Sequence, residues 1–185
     1  MRIISGKAKG HPIVAPKGFD TRPTTDRVRE AIFNIIQMHI SGAEVLDLFA
    51  GTGALGIEAL SRGAKKAFFV EKSLPALKCI EKNLLTTKLK DFAYILNSDA
   101  FFYLTNCKEK FDLIFLDPPY GHNLVERALE IISQRSILNS KAIIIAETSK
   151  SDNLPVSLKN IECYRQVRYG DTMIWFYYLA KGEEE

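Results

Sequence analysis

Apolar positions along the chain change their spacing several times, and each change marks an element. From Arg2 to Pro16 they alternate loosely, with Ile3, Ile4, Ile13 and Val14 on either side of the 6–10 stretch. That pattern predicts a β-hairpin whose turn carries Lys7, Lys9 and His11. Turn residues fill 17–23. Val28, Ala31, Ile32, Ile35 and Ile36 then recur at i, i+3, i+4, i+7 and i+8. A helix follows, capped by Thr24, Thr25 or Asp26 and ended by Ser41-Gly42, with Arg27, Glu30 and Asn34 turned away from its apolar stripe.

From Val45 onward short apolar runs alternate with helical spacing. The run from Val45 to Leu60 reads as a buried strand, a glycine-rich turn and a helix, and further strands are expected at 66–70, 93–97, 113–116 and 142–146, leading to Glu71, Asp99, Asp117 and Glu147. Helices between them carry Leu77, Ile80 and Leu84, and later Val125, Ala128, Leu129 and Ile132, at core spacing. Strands alternating with helices imply an α/β fold, a parallel sheet with helices on both faces. The carboxyl end breaks that rhythm. Residues 161–168 alternate apolar with polar, Tyr169-Gly170-Asp171 is a turn, and 173–179 is apolar throughout. A strand apolar on both faces belongs inside a sheet, so the last strand is expected between the fifth and sixth, antiparallel to its neighbours. Residues 181–185 read as a frayed tail.

At 185 residues, 46% hydrophobic and 25% charged, the composition is that of one globular domain. The amino terminus reaches charge and glycine too soon for a signal peptide, and the apolar runs are too short to cross a bilayer, so a cytosolic protein is expected. Cys79, Cys107 and Cys163 match no metal motif or disulfide framework and read as reduced packing residues. His11, His39 and His122 show no ligand spacing, and no metal is expected. No long exposed apolar stripe is evident, which predicts a monomer. The net charge of +3 hides an asymmetry: residues 1–41 hold seven Lys and Arg against three Asp and Glu, and the remainder 18 against 19. A basic extension, 1–41, before a near-neutral body, 42–185, is expected where the extension meets a polyanion.

Gly51-x-Gly53-x-x-Gly56 after a strand, with Glu71 20 residues beyond Gly51, satisfies the dinucleotide fingerprint. Asp47, four residues before Gly51, would oppose a pyrophosphate but suits the ammonium of a methionine moiety. Glu71 can accept both ribose hydroxyls and Asp99 an adenine amine, which points to S-adenosylmethionine. Asp117-Pro118-Pro119-Tyr120 then forms a stiff corner at a strand end, where α/β proteins keep their chemistry. Asp117 and the Pro118 carbonyl can accept from an exocyclic amine while Tyr120 stacks on its ring.

These features resemble the class I methyltransferases with a seven-stranded, Rossmann-like mixed sheet that modify exocyclic amines. Three longer motifs, at 22–34, 46–56 and 58–64, resemble the RsmD family, bacterial enzymes acting on guanine N2 in small-subunit ribosomal RNA. The resemblance covers nearly the whole chain, with Thr52 where many members have Ser. It implies that Thr24, Phe49 and Ala100 join Asp47, Gly51, Gly53, Glu71 and Asp99 around the cofactor. It also implies RNA contacts from Arg2, Lys7, Lys9, His11, Arg22, Arg27 and Arg29, the assembled 30S particle as substrate, and closure of the cofactor pocket by 22–29. Three rival readings stay open. A DNA adenine-N6 methyltransferase shares the Asp117 corner but generally needs more sequence for target recognition. An NAD-dependent oxidoreductase shares the glycine turn but lacks a readable second site. A silent RNA-binding module leaves the strand-end acids unexplained.

Overall fold

Runs that are apolar on both sides end up in the middle of the sheet. The computed structural model describes residues 1–16, 26–119 and 123–180. The strands are β1 (Glu44–Asp47), β2 (Lys66–Glu71), β3 (Ala93–Asn97), β4 (Phe111–Leu116), β5 (Leu138–Ser149), β6 (Ser157–Leu158), β7 (Ile161–Tyr169) and β8 (Thr172–Leu179). They form one sheet in the order β3-β2-β1-β4-β5-β8-β7-β6. The first five strands are parallel, and β8 lies antiparallel to both β5 and β7. The expected insertion of the last strand is therefore present. An eighth strand appears because β6, only two residues long, pairs with the start of β7. So short a run leaves no period to read in the sequence.

The helices are α1 (Asp26–Ile35), α2 (Ala54–Ser61), α3 (Leu74–Thr86), α4 (Ala100–Asn106) and α5 (Leu124–Gln134). Alternation along the strands sends side chains to two cores. Leu113, Phe115, Ile145 and Phe176 pack on one face with Ile32 and Phe33 of α1, Ile57 of α2 and Ile80 of α3. Ile114, Leu116, Ile144 and Trp175 pack on the other with Leu104 of α4 and Leu129 of α5. No helix of the described residues is long and apolar enough to cross a membrane.

Several boundaries differ from expectation, β4 starting at Phe111 and β5 running on to Ser149 among them. α1 stops at Ile35 and a 3₁₀ turn, Gln37–His39, carries the chain on. Ile36 and Ile40 are buried all the same, so apolar spacing hid the change of helix type. β5 also starts four residues earlier than its fully apolar stretch, because Leu138 pairs with Phe111 ahead of a register shift.

The amino-terminal arm has the hairpin's outline but only one bridge, Arg2 to Pro12. Three backbone hydrogen bonds join its limbs, Ile3 N–H to His11 O, Gly10 N–H to Ile3 O and Ile13 N–H to Met1 O, at 2.9, 2.8 and 3.1 Å, and other groups of its backbone turn towards α2. Ile4 and Ser5 donate their N–H groups to Glu58 at 2.8 and 3.0 Å. Ala8 N–H donates to Ser61 Oγ at 2.9 Å, and Lys7 N–H to the Ser61 carbonyl at 2.8 Å. A Cβ on Gly6 would stand 1.9 Å from that carbonyl, so only glycine lets the arm lie this close.

Glu58 is fully buried and its charge is answered by two arginines. Arg62 Nε donates to it at 2.7 Å and Arg29 Nε lies 3.9 Å away. Arg29 also pairs with Asp26 at 3.1 Å and donates to the Arg2 carbonyl. One carboxylate thus joins the arm, α1 and α2. Removing one partner of a buried charge cluster typically costs about 3–5 kcal/mol. Glu58→Ala is therefore expected to lower unfolding free energy in urea by about that amount; a loss under about 1 kcal/mol would mean the arm docks without it.

Candidate active site

All five parallel strands point their carboxyl ends at one rim, so residues following different strands become neighbours. After β1 the chain is strapped on both sides: Leu48 N–H donates to Phe115 O and Ala50 N–H to Val70 O, each at 3.1 Å. Between these straps and α2 the glycine turn uses left-handed residues, Gly51 at φ +52° and Gly53 at φ +75°. The three glycines do different work. A Cβ on Gly56 would meet Phe69 Cε1 at 2.4 Å, so this glycine seats α2 on β2. Gly53 is hemmed by Ile57, Ile80 and Phe69, each 3.3 Å from a Cβ. At Gly51 the nearest atom is Phe49 O at 4.0 Å. Of the three, Gly51 alone has an open side among the described residues.

The strand-end acids are held by backbone N–H groups. Glu71 Oε2 accepts from Gly51 at 2.9 Å, and Oε1 accepts from Lys72 and Ser73 at 2.9 and 2.8 Å. A carboxylate has about four acceptor sites, so one remains on Oε2. Glu71 can take one hydroxyl of a ribose without releasing an N–H, rather than both as expected. Asp99 caps α4, its Oδ1 accepting from Phe101 and Phe102 at 3.0 and 3.1 Å. Its Oδ2 accepts no hydrogen bond among the described residues, and Ala100 is buried beside it. An open glycine and two acceptors, ranged along β1, β2 and β3, fit a ligand that brings hydroxyl and amine donors.

Asp47 departs from expectation. Its carboxylate is 2% exposed beneath the turn, where Oδ2 accepts from Gly56 N–H at 2.9 Å. It supports the turn from below through that oxygen. Burial pushes its pKa up from 3.8 to about 7; the Gly56 N–H pulls the other way, and the Glu71 charge adds to the rise.

On the far side of β1, Asp117 is half-buried at the end of β4, Pro118 is buried and Pro119 exposed. Tyr120 lies outside the described residues, as do Thr24 and Arg22. Phe49 follows β1 on the rim and meets the edge of Phe101 at 6.1 Å. The Arg127 guanidinium covers Phe101 at 4.0 Å. Sequence reading missed both Phe101 and Arg127, although the aromatic run 101–103 directly after Asp99-Ala100 was a usable signal.

The expected RNA contacts divide. Arg2, Lys7, Lys9 and Arg27 are exposed, and His11 is half-buried with Nδ1 2.9 Å from Ala8 O. Arg29 is 1% exposed and holds Arg2, Asp26 and Glu58 together, so it is a structural residue and not an RNA contact. The signal for this was the single acid in the apolar helix 54–61, which needs a counter-charge once buried. Lys7 docks at the last residue of α2, one helix length or about 12 Å from the glycine turn. A separate concavity, lined by His39, Lys141, Tyr164 and Tyr178, lies at the opposite rim among the first residues of β5. None of the strand-end acids lines it.

A glycine turn and strand-end acids along a parallel sheet with an inserted antiparallel strand define the class I methyltransferase fold. The family model described as Conserved hypothetical protein 95 matches residues 1–178. Ribosomal RNA small subunit methyltransferase D of Escherichia coli K12 is 35% identical over 186 residues, covering 100% of this chain and 93% of that protein. The solved structure of yhhF from Escherichia coli has a TM-score of 0.87 at 35% identity, covering 97% of this chain and 98% of that one. SMU.776 complexed with SAH shares the fold, with a TM-score of 0.61 at 17% identity over 79% of this chain and 48% of that one. The chain belongs to the Conserved hypothetical protein 95 family, the RsmD family of methyltransferases.

The folded protein holds the Asp47 proton between pH 3.8 and about 7 while the unfolded chain has lost it. Stability contributed at this site therefore falls as pH rises through that window, by up to about 1.4 kcal/mol per unit. Asn in its place still accepts from Gly56 and carries no charge. Urea unfolding at pH 5 and pH 8 is expected to show Asp47→Asn gaining about 2–3 kcal/mol on the wild type between the two; parallel curves would contradict a buried, titrating Asp47.

Proposed function

We propose that this chain transfers a methyl group from S-adenosylmethionine to the exocyclic N2 amine of a guanine in small-subunit ribosomal RNA, with the assembled subunit as substrate. The observation that carries the reading is the row along one rim: Asp99 after β3, Glu71 at the end of β2, the open side of Gly51 after β1, and Asp117 with buried Pro118 after β4. Acceptors for a nucleoside lie on one side of β1 and acceptors for an amine on the other. Family membership and the name carried by the Escherichia coli relative support methyl transfer to ribosomal RNA over the oxidoreductase reading. The exposed Lys7 and Lys9, a helix length from the turn, suit an extended polyanion better than a small molecule.

When bound, S-adenosylmethionine supplies a methyl group activated by its sulfonium. The residues of this chain have to make a poor nucleophile adequate, because the lone pair of guanine N2 is delocalised into the ring. Asp117 and the Pro118 carbonyl accept hydrogen bonds from the two amine protons, favour a more tetrahedral nitrogen and turn its lone pair towards the methyl. The Asp117 charge also stabilises the positive charge that develops on nitrogen before one of those protons leaves. The two prolines keep this pair of acceptors fixed. Tyr120 stacks on the extruded base.

Labelled methyl transfer to subunits lacking the modification, to naked ribosomal RNA and to duplex DNA, followed by nucleoside analysis, tests the reading. N2-methylguanosine from subunits is the expected product, and label on DNA adenine would replace the proposal with the rival enzyme. Asp117→Ala is expected to lower kcat by at least about a hundredfold with cofactor affinity within about twofold. Near-normal turnover would remove Asp117 from the mechanism.

A further inference from the structure

Asn83 is 1% exposed in the third turn of α3, among apolar neighbours, and its side-chain amide is fully used. Oδ1 accepts from Val14 N–H at 2.9 Å, and Nδ2 donates to the Val14 carbonyl at 3.0 Å. One amide side chain thus pairs with both backbone groups of Val14 as a neighbouring strand would. The other Nδ2 proton goes to the carbonyl of Thr52 at 2.9 Å, inside the glycine turn and next to Gly51. A buried amide is costly unless its donors and acceptor are satisfied, so the three bonds stand or fall together.

The geometry points to Asn83 as a positioning residue that ties the amino-terminal arm to the cofactor turn. It couples cofactor binding to RNA binding. The inference rests on the proposed function, in which the Gly51 turn meets the cofactor and the arm carrying Lys7 and Lys9 meets RNA. A ligand that fixes the turn fixes the Thr52 carbonyl, and so the amide that holds Val14. RNA that orders the arm acts on the turn by the same three bonds in reverse, as linkage requires. Ser61 and Glu58 also anchor the arm, but on α2 and away from the turn, so they provide the contrast.

The experiment measures the affinity of S-adenosylhomocysteine by calorimetry, with and without unmethylated small subunits, alongside steady-state kinetics. Wild type is expected to bind it at least about fivefold more tightly when RNA is present. Asn83→Ala is expected to weaken binding to the free protein about tenfold, bring the ratio close to one, and raise KM for S-adenosylmethionine. Its kcat at saturating cofactor should stay within about threefold, a split that general destabilisation would not produce. Ser61→Ala, which loosens only the arm tip, is expected to weaken subunit binding and leave affinity in the free protein near wild type. If Asn83→Ala does not fold, Asn83→Leu keeps the side-chain volume, loses all three bonds and reads the same quantities. A wild-type ratio of one, an Asn83 variant with unchanged affinity and ratio, or an equal loss of free-protein affinity in Ser61→Ala would each overturn the coupling while leaving the proposed reaction intact. Wild-type protein that bound no S-adenosylhomocysteine would instead remove the functional reading itself.

Discussion

Parallel pairing of strands, the inner ones buried on both faces, is the constraint on which the rest depends. Such strands need a helix to return the chain each time, so every strand of the set β3-β2-β1-β4-β5 ends at the same rim. Residues far apart in sequence, Gly51, Glu71, Asp99 and Asp117, become a row because each directly follows a strand. The antiparallel β8 extends the sheet by the last wholly apolar run and leaves the more polar β7 and β6 towards the edge, where water can reach them.

The same helices that cover the sheet leave polar positions for a second task. α2 is almost wholly buried, yet it carries Glu58 and Ser61, and α3 carries the buried Asn83. Each serves backbone groups of the amino-terminal arm. A short hairpin is marginal on its own in water, and here hydrogen bonds to α2 and α3 supplement its own three cross-strand bonds. The arm is therefore part of the same packed body as the cofactor turn, through Ile3 and Ile13 in the core shared by α1, α2 and α3.

The acids of the rim are less available than their sequence positions suggest, because neighbouring backbone N–H groups have first claim on them. Asp47 gives one oxygen to the turn from beneath, and among the described residues Glu71 keeps one acceptor site and Asp99 one oxygen. Acceptors fixed in this way need no reorganisation when a ligand arrives, which is how a small set of groups binds tightly. Phe49, Phe101 and Arg127 form one group, the Phe49 ring against Phe101 edge-on and the Arg127 guanidinium over the Phe101 face.

Local patterns determined the elements. The alternation and helical spacing located five strands and the helices between them, and the wholly apolar 173–179 run fixed its own place inside the sheet, because burial on both faces is a property of the run itself. The glycine spacing and the strand-end acids were legible for the same reason, since a residue after a strand needs no partner to be recognised. What only the tertiary structure decided were the partners. Arg29 looks like any cation next to an apolar stripe until Glu58, 29 residues later, is brought against it. Gly51 and Gly56 are alike in sequence, but one faces open space and the other the ring of Phe69. Hydrogen bonds over such separations depend on distances that the whole fold sets, and no window of the chain contains them.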